Sequence, residues 1–146
     1  MGNKLVLVCA LILAFSLPGI AQSNQTQSPE ELVKAVADAF SAGELGKLDA
    51  ERPYLQTVRI RVEHSITGGI EARSFRTLAR LERWLKGRVP GEGPARNGGA
   101  LRRCRRGVCT FEQEGMLHNN LYLQKITYGL RKGRPYIKAI HIIDGD

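Results

Sequence analysis

The sequence predicts an α+β fold, with helices early in the chain and strands filling its C-terminal half. Residues 28–43 repeat apolar side chains at helical spacing, whereas residues 57–66 alternate as a strand with one buried face does. From residue 100 onward, stretches with strand character are separated by turn-forming residues. This order favours an antiparallel sheet of about four to six strands, with two or three helices collected on one face.

The first 21 residues have the pattern of a cleavable secretory signal peptide. Lys4 supplies a positive charge, and Leu5–Phe15 is an unbroken apolar run that is too short to span a bilayer. Gly19 and Ala21 place small residues before a cleavage site. We therefore expect an exported protein, either secreted or periplasmic.

Beyond the leader we expect a polar tail at residues 22–27 and one domain at residues 28–146, with no further membrane-spanning stretch. Cleavage also removes Cys9, which leaves Cys104 and Cys109 in an oxidising compartment. Their spacing suits directly opposed positions in a β-hairpin, where the Cα atoms are close enough for a disulfide. The sequence therefore predicts a Cys104–Cys109 disulfide.

Two helices have recognisable starts. Ser28, Pro29 and Glu31 form a capping box with proline at the first helical position, and Gly43 is a suitable C-cap. A short turn is expected over residues 44–51. Ser74 is the expected N-cap of an amphipathic helix that ends at Lys86.

The strands follow from alternation and from turn signals. The glycine- and proline-rich segment 87–99 is expected to form a long loop. The last strand is apolar on both faces, which indicates a central position in the sheet. The expected strands cover residues 55–66, 70–72, 101–113 (a hairpin), 121–130 and 135–143.

Two segments resemble the nuclear-transport-factor-2-like (NTF2-like, cystatin-like) superfamily. The start, SPEELVKAVADAFSAGELGKLD, resembles the opening helices of that fold, and the end, LYLQKITYGLRKGRPYIKAIHIIDGD, resembles its final long hairpin. The resemblance implies a curved sheet wrapped around helices, often enclosing a conical pocket. It leaves function open, because this fold hosts isomerases, dehydratases, binding proteins and dimerisation modules.

The positive charge of the domain is concentrated in one part of the sequence. Without Lys4 the chain has 21 Lys and Arg against 14 Asp and Glu, and residues 73–106 hold eleven of the basic residues but only two acidic ones. Guanidinium groups suit bidentate contact with phosphate or carboxylate. The expected anion-binding residues are Arg73, Arg76, Arg80 and Arg83 on the helix and Arg102, Arg103, Arg105 and Arg106 on the hairpin.

The alternative interpretation of these arginines is an ordinary solvated surface. As partners we expect an anionic polymer, a lipid headgroup or a small molecule. Nucleic acid is disfavoured, because Phe75 and Trp84 are the only aromatic residues in the basic segment and both have core spacing.

A second candidate site is a pocket on the sheet. His64, Glu112, Tyr122 and Tyr128 are the strand residues that could line an amphipathic or acid–base pocket. We find no catalytic, metal-binding or cofactor-binding motif. We therefore expect a non-catalytic binding domain without a cofactor or metal. The alternatives are a small pocket enzyme of the isomerase or dehydratase type and a module that dimerises through the outer sheet face.

Overall fold

A computed structural model describes residues 27–51, 57–88, 95–115 and 119–145; the predicted leader and His118 lie outside this range. The described residues form three helices: α1 (Pro29–Ala42), α2 (Lys47–Glu51) and α3 (Leu78–Lys86). They also form seven strands, which are β1 (Val58–His64), β2 (Ile70–Phe75), β3 (Ala95–Asn97), β4 (Ala100–Arg105), β5 (Val108–Glu112), β6 (Asn120–Arg131) and β7 (Arg134–Asp144). The predicted α+β class is confirmed.

The strands belong to one mixed sheet, and the prediction of a purely antiparallel sheet is wrong. Its order is β2-β1-β7-β6-β5-β4, with β3 pairing separately with β6. Hairpins make most neighbours antiparallel, but β1 runs parallel to β7 and β3 runs parallel to β6. Pairing between β1 and β7 places β7 in the interior of the sheet, as its apolar sequence predicts.

All three helices contribute to one core against one face of the sheet. Val58, Ile60 and Val62 of β1 point to that face and are at most 2% exposed. The alternating residues Arg59 and Arg61 point to the opposite side and are exposed. We call this second side, which bears no described helix, the outer face.

The start of α1 is as predicted. The Ser28 hydroxyl accepts from the Glu31 amide at 3.2 Å, and the Glu31 carboxylate accepts from the Ser28 amide at 2.8 Å. Gly43 ends the helix in the left-handed conformation at φ 69°, where glycine has no side chain to strain.

The predicted start of α3 at Ser74 is wrong, because Ser74 and Phe75 belong to β2 and pair with β1. The N-cap is Thr77, whose hydroxyl accepts from the Arg80 amide at 3.2 Å. A second cap comes from α2: the Asp49 carboxylate accepts from the amides of Leu78 and Ala79 at 2.9 and 2.7 Å. Tertiary contacts therefore decide where this helix begins.

The β4–β5 hairpin and its disulfide are present as predicted. Cys104 and Cys109 are directly opposed, with Cα atoms 4.0 Å apart, and their sulfur atoms are bonded. Closing so short a loop stabilises the fold by about 2 kcal/mol in the chain-entropy estimate. The disulfide thus holds the hairpin tip together and contributes little to the rest of the fold.

The segment predicted as a long loop contains β3 at its C-terminal end, while residues 89–94 lie outside the described residues. After β3, Gly98 passes close to α1 and its amide donates to the Ser41 hydroxyl at 2.7 Å. A Cβ at this position would lie 2.5 Å from the Ala37 carbonyl oxygen, so only glycine fits without a shift. In the described part of the chain, no helix is long and apolar enough to cross a membrane.

Candidate functional site

The arginines predicted to form one anion-binding surface occupy separate parts of the molecule. Arg73 lies on β2, at one edge of the sheet, and Arg103 lies on β4, at the other edge. Five inter-strand spacings separate these edges, roughly 24 Å. The expectation of one patch formed by helix and hairpin together is therefore not met.

These arginines also differ in their contacts. Arg73 is on β2 and not on the helix. Its Nε donates to Glu71 at 2.7 Å, and its guanidinium lies 5.6 Å from the Trp84 ring centre. Arg76 is exposed in the bend between β2 and α3. Only Arg80 and Arg83 are exposed on the helix itself.

The four hairpin arginines surround the β4–β5 turn and are exposed. Because the neighbouring cysteines face the core, Arg103 and Arg105 point to the outer face. Arg106 is at the turn with φ 50°.

The residues predicted to line a pocket lie apart in the sheet or are buried. His64 on β1 and Glu112 on β5 are three strands apart in the sheet order, roughly 14 Å. Tyr122 is 1% exposed, so it is buried too deeply to line an open pocket. Tyr128 is half-buried and packs against the core, and Glu112 is exposed at the end of its strand.

His64 instead belongs to an ionic cluster at the end of β1. The Arg88 guanidinium contacts Glu71, lies 3.7 Å from the Asp144 carboxylate and 3.4 Å from the His64 ring, and stacks 4.6 Å from the Trp84 ring centre. Hydrogen bonds from Arg73 and then Arg88 hold the pKa of Glu71 below its ordinary value. The cluster connects the end of α3 to β1, β2 and β7.

The outer face contains a cavity that sequence reasoning did not predict. Its volume is about 460 Å³, within the range of small-molecule pockets. Its lining includes the small residues Ala72 and Ala139 and four long basic ones, Arg59, Arg61, Arg73 and Lys125. Strands β1, β2, β6 and β7 all contribute.

Strand register explains why these cations lie together. Arg61 is paired with His141 on β7, and His141 is paired in turn with Lys125 on β6. Paired residues in neighbouring strands point to the same face of a sheet. One row across the outer face therefore consists of Arg61, His141 and Lys125.

This row continues onto the hairpin, and a second row runs beside it. Lys125 pairs with Thr110, and Thr110 pairs with Arg103. The next row carries Arg59 on β1 and Arg105 on β4, with the small residues Ala139 and Thr127 between them. We define the outer basic face as the five exposed cations of these rows: Arg59, Arg61, Arg103, Arg105 and Lys125.

The acidic side chains of the outer face lie beyond these rows. Glu63 lies two residues beyond Arg61 on β1 and is paired with Ile143. Glu112 lies two residues beyond Thr110 on β5 and is paired with Ala100. In the two rows of the outer basic face, all described residues are basic, hydroxylated or apolar. Positive charge is thus concentrated at one end of this face.

His141 is the buried titratable group of the cavity, at 8% exposure. Burial holds the pKa of His141 below the ordinary 6.5, and the positive charges of Lys125 and then Arg61 lower it further. Glu63 acts in the opposite direction. Its Nε2 lies 3.3 Å from a Glu63 carboxylate oxygen, but the alignment is not that of a hydrogen bond. Among the described residues neither ring nitrogen has a hydrogen-bond partner.

Comparisons with known proteins add no assignment. No protein-family model matches the chain, and neither curated proteins nor solved structures give a significant match. Within the described residues, no group of three His, Cys, Asp or Glu side chains is arranged to hold a metal ion.

Proposed function

We propose that this protein is an exported, non-catalytic domain that binds a polyanion through the outer basic face. The observation that carries the proposal is the row Arg61, His141, Lys125, Thr110, Arg103, in which a cation occupies every second strand. Consecutive cations in this row are roughly 10 Å apart. A linear polymer that lies across the strands can contact all of them.

The surroundings of these cations favour a ligand over an ordinary charged surface. Like charges destabilise a sheet when they lie directly opposite each other, and charges two strands apart still repel one another more weakly, within about one Debye length. Arg61 and Lys125 are separated only by a buried histidine, and neither has a carboxylate salt-bridge partner among the described contacts. A bound anion relieves this repulsion. Charges that are dispersed over an ordinary surface have no such repulsion for an anion to relieve.

The same charge distribution argues against self-association through this face. A two-fold symmetric dimer would place each outer basic face against its copy. Five cations per subunit would then be desolvated next to five others, which is unfavourable without an intervening anion. Apart from the buried ring of His141, the described residues of the two rows include no aromatic side chain on which a base could stack, so a polyanionic glycan suits the face better than nucleic acid.

The NTF2-like fold is part of this proposal. Early helices, a C-terminal final hairpin and an interior last strand support it. The export of the chain rests on the leader pattern of residues 1–21.

The proposal predicts strongly salt-dependent binding to a sulfated polysaccharide. Each cation that contacts the polymer releases a counterion, so the logarithm of the association constant falls linearly with the logarithm of salt concentration. With five contacts we expect a loss of about a hundredfold in affinity for heparin between 50 and 200 mM NaCl. Titration calorimetry at four salt concentrations measures this slope.

Dextran, a neutral polysaccharide, is the control ligand and is expected not to bind. Affinity for heparin that does not change with salt, or equal binding of dextran, would show that the outer basic face is not an electrostatic binding surface.

A further inference from the structure

The cavity within the outer basic face has features that a merely charged surface lacks. Two of its lining residues, Ala72 and Ala139, are small, although their partners on β1 are long basic side chains. The result is a depression of about 460 Å³ whose lining includes arginine and lysine residues. That volume exceeds what a bare ion requires and falls in the range that holds a small organic ligand.

His141 supplies the second observation. A buried polar side chain normally has a hydrogen-bond partner, and an exception calls for an explanation. Neither buried ring nitrogen of His141 makes an aligned hydrogen bond in the described part of the chain, although Nε2 lies 3.3 Å from Glu63, and the residue lines the cavity. A ligand in the cavity could therefore complete the hydrogen bonding of this histidine.

We propose that the cavity is a subsite for one sulfate or phosphate ester group, held by Arg59, Arg61 and Lys125 and by a hydrogen bond from His141. This inference rests on the proposed polyanion binding and names the group that is recognised. A tetrahedral oxyanion offers three terminal oxygens, enough for three cations on different sides. A carboxylate offers two oxygens and satisfies fewer of these donors.

Binding at this site is coupled to the uptake of a proton by His141. Burial, and then the charges of Lys125 and Arg61 on the neighbouring strands, lower the pKa of His141, with Glu63 as the only facing carboxylate among the described residues. An anion between the two cations cancels their repulsion, and the imidazolium can then donate one N–H toward Glu63 and the other to the ligand. The pKa of His141 therefore rises when the site is occupied, and the protein takes up a proton on binding.

Glucose 6-sulfate is the probe, because its sulfate does not titrate between pH 5 and 8. We expect saturable binding that strengthens about fivefold from pH 7.5 to pH 5.5, because a rise of one unit in the histidine pKa can change the affinity by at most about tenfold. Calorimetry in two buffers of different ionisation enthalpy counts the protons taken up. Glucuronate is expected to bind more weakly and glucose not at all.

The matched variant is His141→Gln, which retains a hydrogen-bonding side chain but does not titrate. We expect it to bind the probe several-fold more weakly and to lose both the pH dependence and the proton uptake. If this variant does not fold, the wild-type His141 ring signals followed by NMR decide the question, because the pKa must rise when glucose 6-sulfate is added.

The outcomes separate this inference from the proposed function. Heparin binding without binding of glucose 6-sulfate overturns the subsite and leaves polyanion binding intact. Probe binding without proton uptake, or equal binding by His141→Gln, overturns the role of His141 in the site. Absence of binding to both ligands overturns the subsite and the proposed function together.

Discussion

Replacing Glu82 with alanine is expected to destabilise the fold by about 3–5 kcal/mol, because it leaves a buried guanidinium without its counter-ion. The side chain of Arg96 on β3 is 4% exposed, and its Nη1 donates to both carboxylate oxygens of Glu82 at 2.9 and 2.8 Å. The Arg96 guanidinium also lies 5.9 Å from the Phe40 ring centre. Glu82 thereby joins α3 to β3 and α1.

Urea denaturation measures this effect. Lys86→Ala is the matched control, because the Lys86 ammonium lies 3.6 Å from the same carboxylate but its side chain is 64% exposed. Exposed ion pairs contribute at most about 1 kcal/mol, so the control is expected to remain close to wild type. A loss below 1 kcal/mol in Glu82→Ala would contradict the assignment of a buried, stabilising pair.

Reversing two charges of the outer basic face is expected to abolish most of the affinity for heparin. The variant combines Arg61→Glu and Lys125→Glu, both at exposed positions that flank His141. Placing like charges against a polyanion costs several kcal/mol, so the affinity at low salt should fall at least about a hundredfold. Titration calorimetry in 50 mM NaCl measures it.

The control carries the same change in charge on α3. Arg80→Glu with Arg83→Glu alters two exposed arginines that the sequence placed in the binding surface, whereas the structure places them on a helix away from the outer face. We expect this double variant to bind heparin within about threefold of wild type. If it loses as much affinity as the outer-face variant, binding depends on net charge and not on this site.

Features that depend on nearby residues were predictable from the sequence. The capping box at Ser28 and the hairpin that pairs Cys104 with Cys109 each involve side chains fewer than six positions apart. The interior position of β7 was also predictable, because a strand that is apolar on both faces is typical of the middle of a sheet. These predictions need no knowledge of the sheet order.

The predictions that failed required contacts between distant segments. The start of α3 was wrong because pairing with β1 extends β2 through Phe75, and because Asp49 of α2 caps the helix. The parallel pairing of β1 with β7 joins residues about eighty positions apart, which alternation alone does not specify.

The candidate site was missed for a related reason. Arg61 and Lys125 are 64 positions apart and become neighbours only through His141 of β7. Counting charge along the sequence directed attention to residues 73–106, although much of that segment lies elsewhere in the fold. One signal was available: Arg59 and Arg61 alternate on the solvent side of a strand whose other face is buried.

The central claim is that the outer basic face binds the anion. An NMR titration of the ¹⁵N-labelled protein with a short heparin oligosaccharide tests it most directly. We predict saturable amide shifts concentrated on β1, β6 and β7 around Arg61, Lys125 and His141, with little change on α3. Shifts confined to α3, or the absence of saturable shifts on these three strands, would contradict the claim.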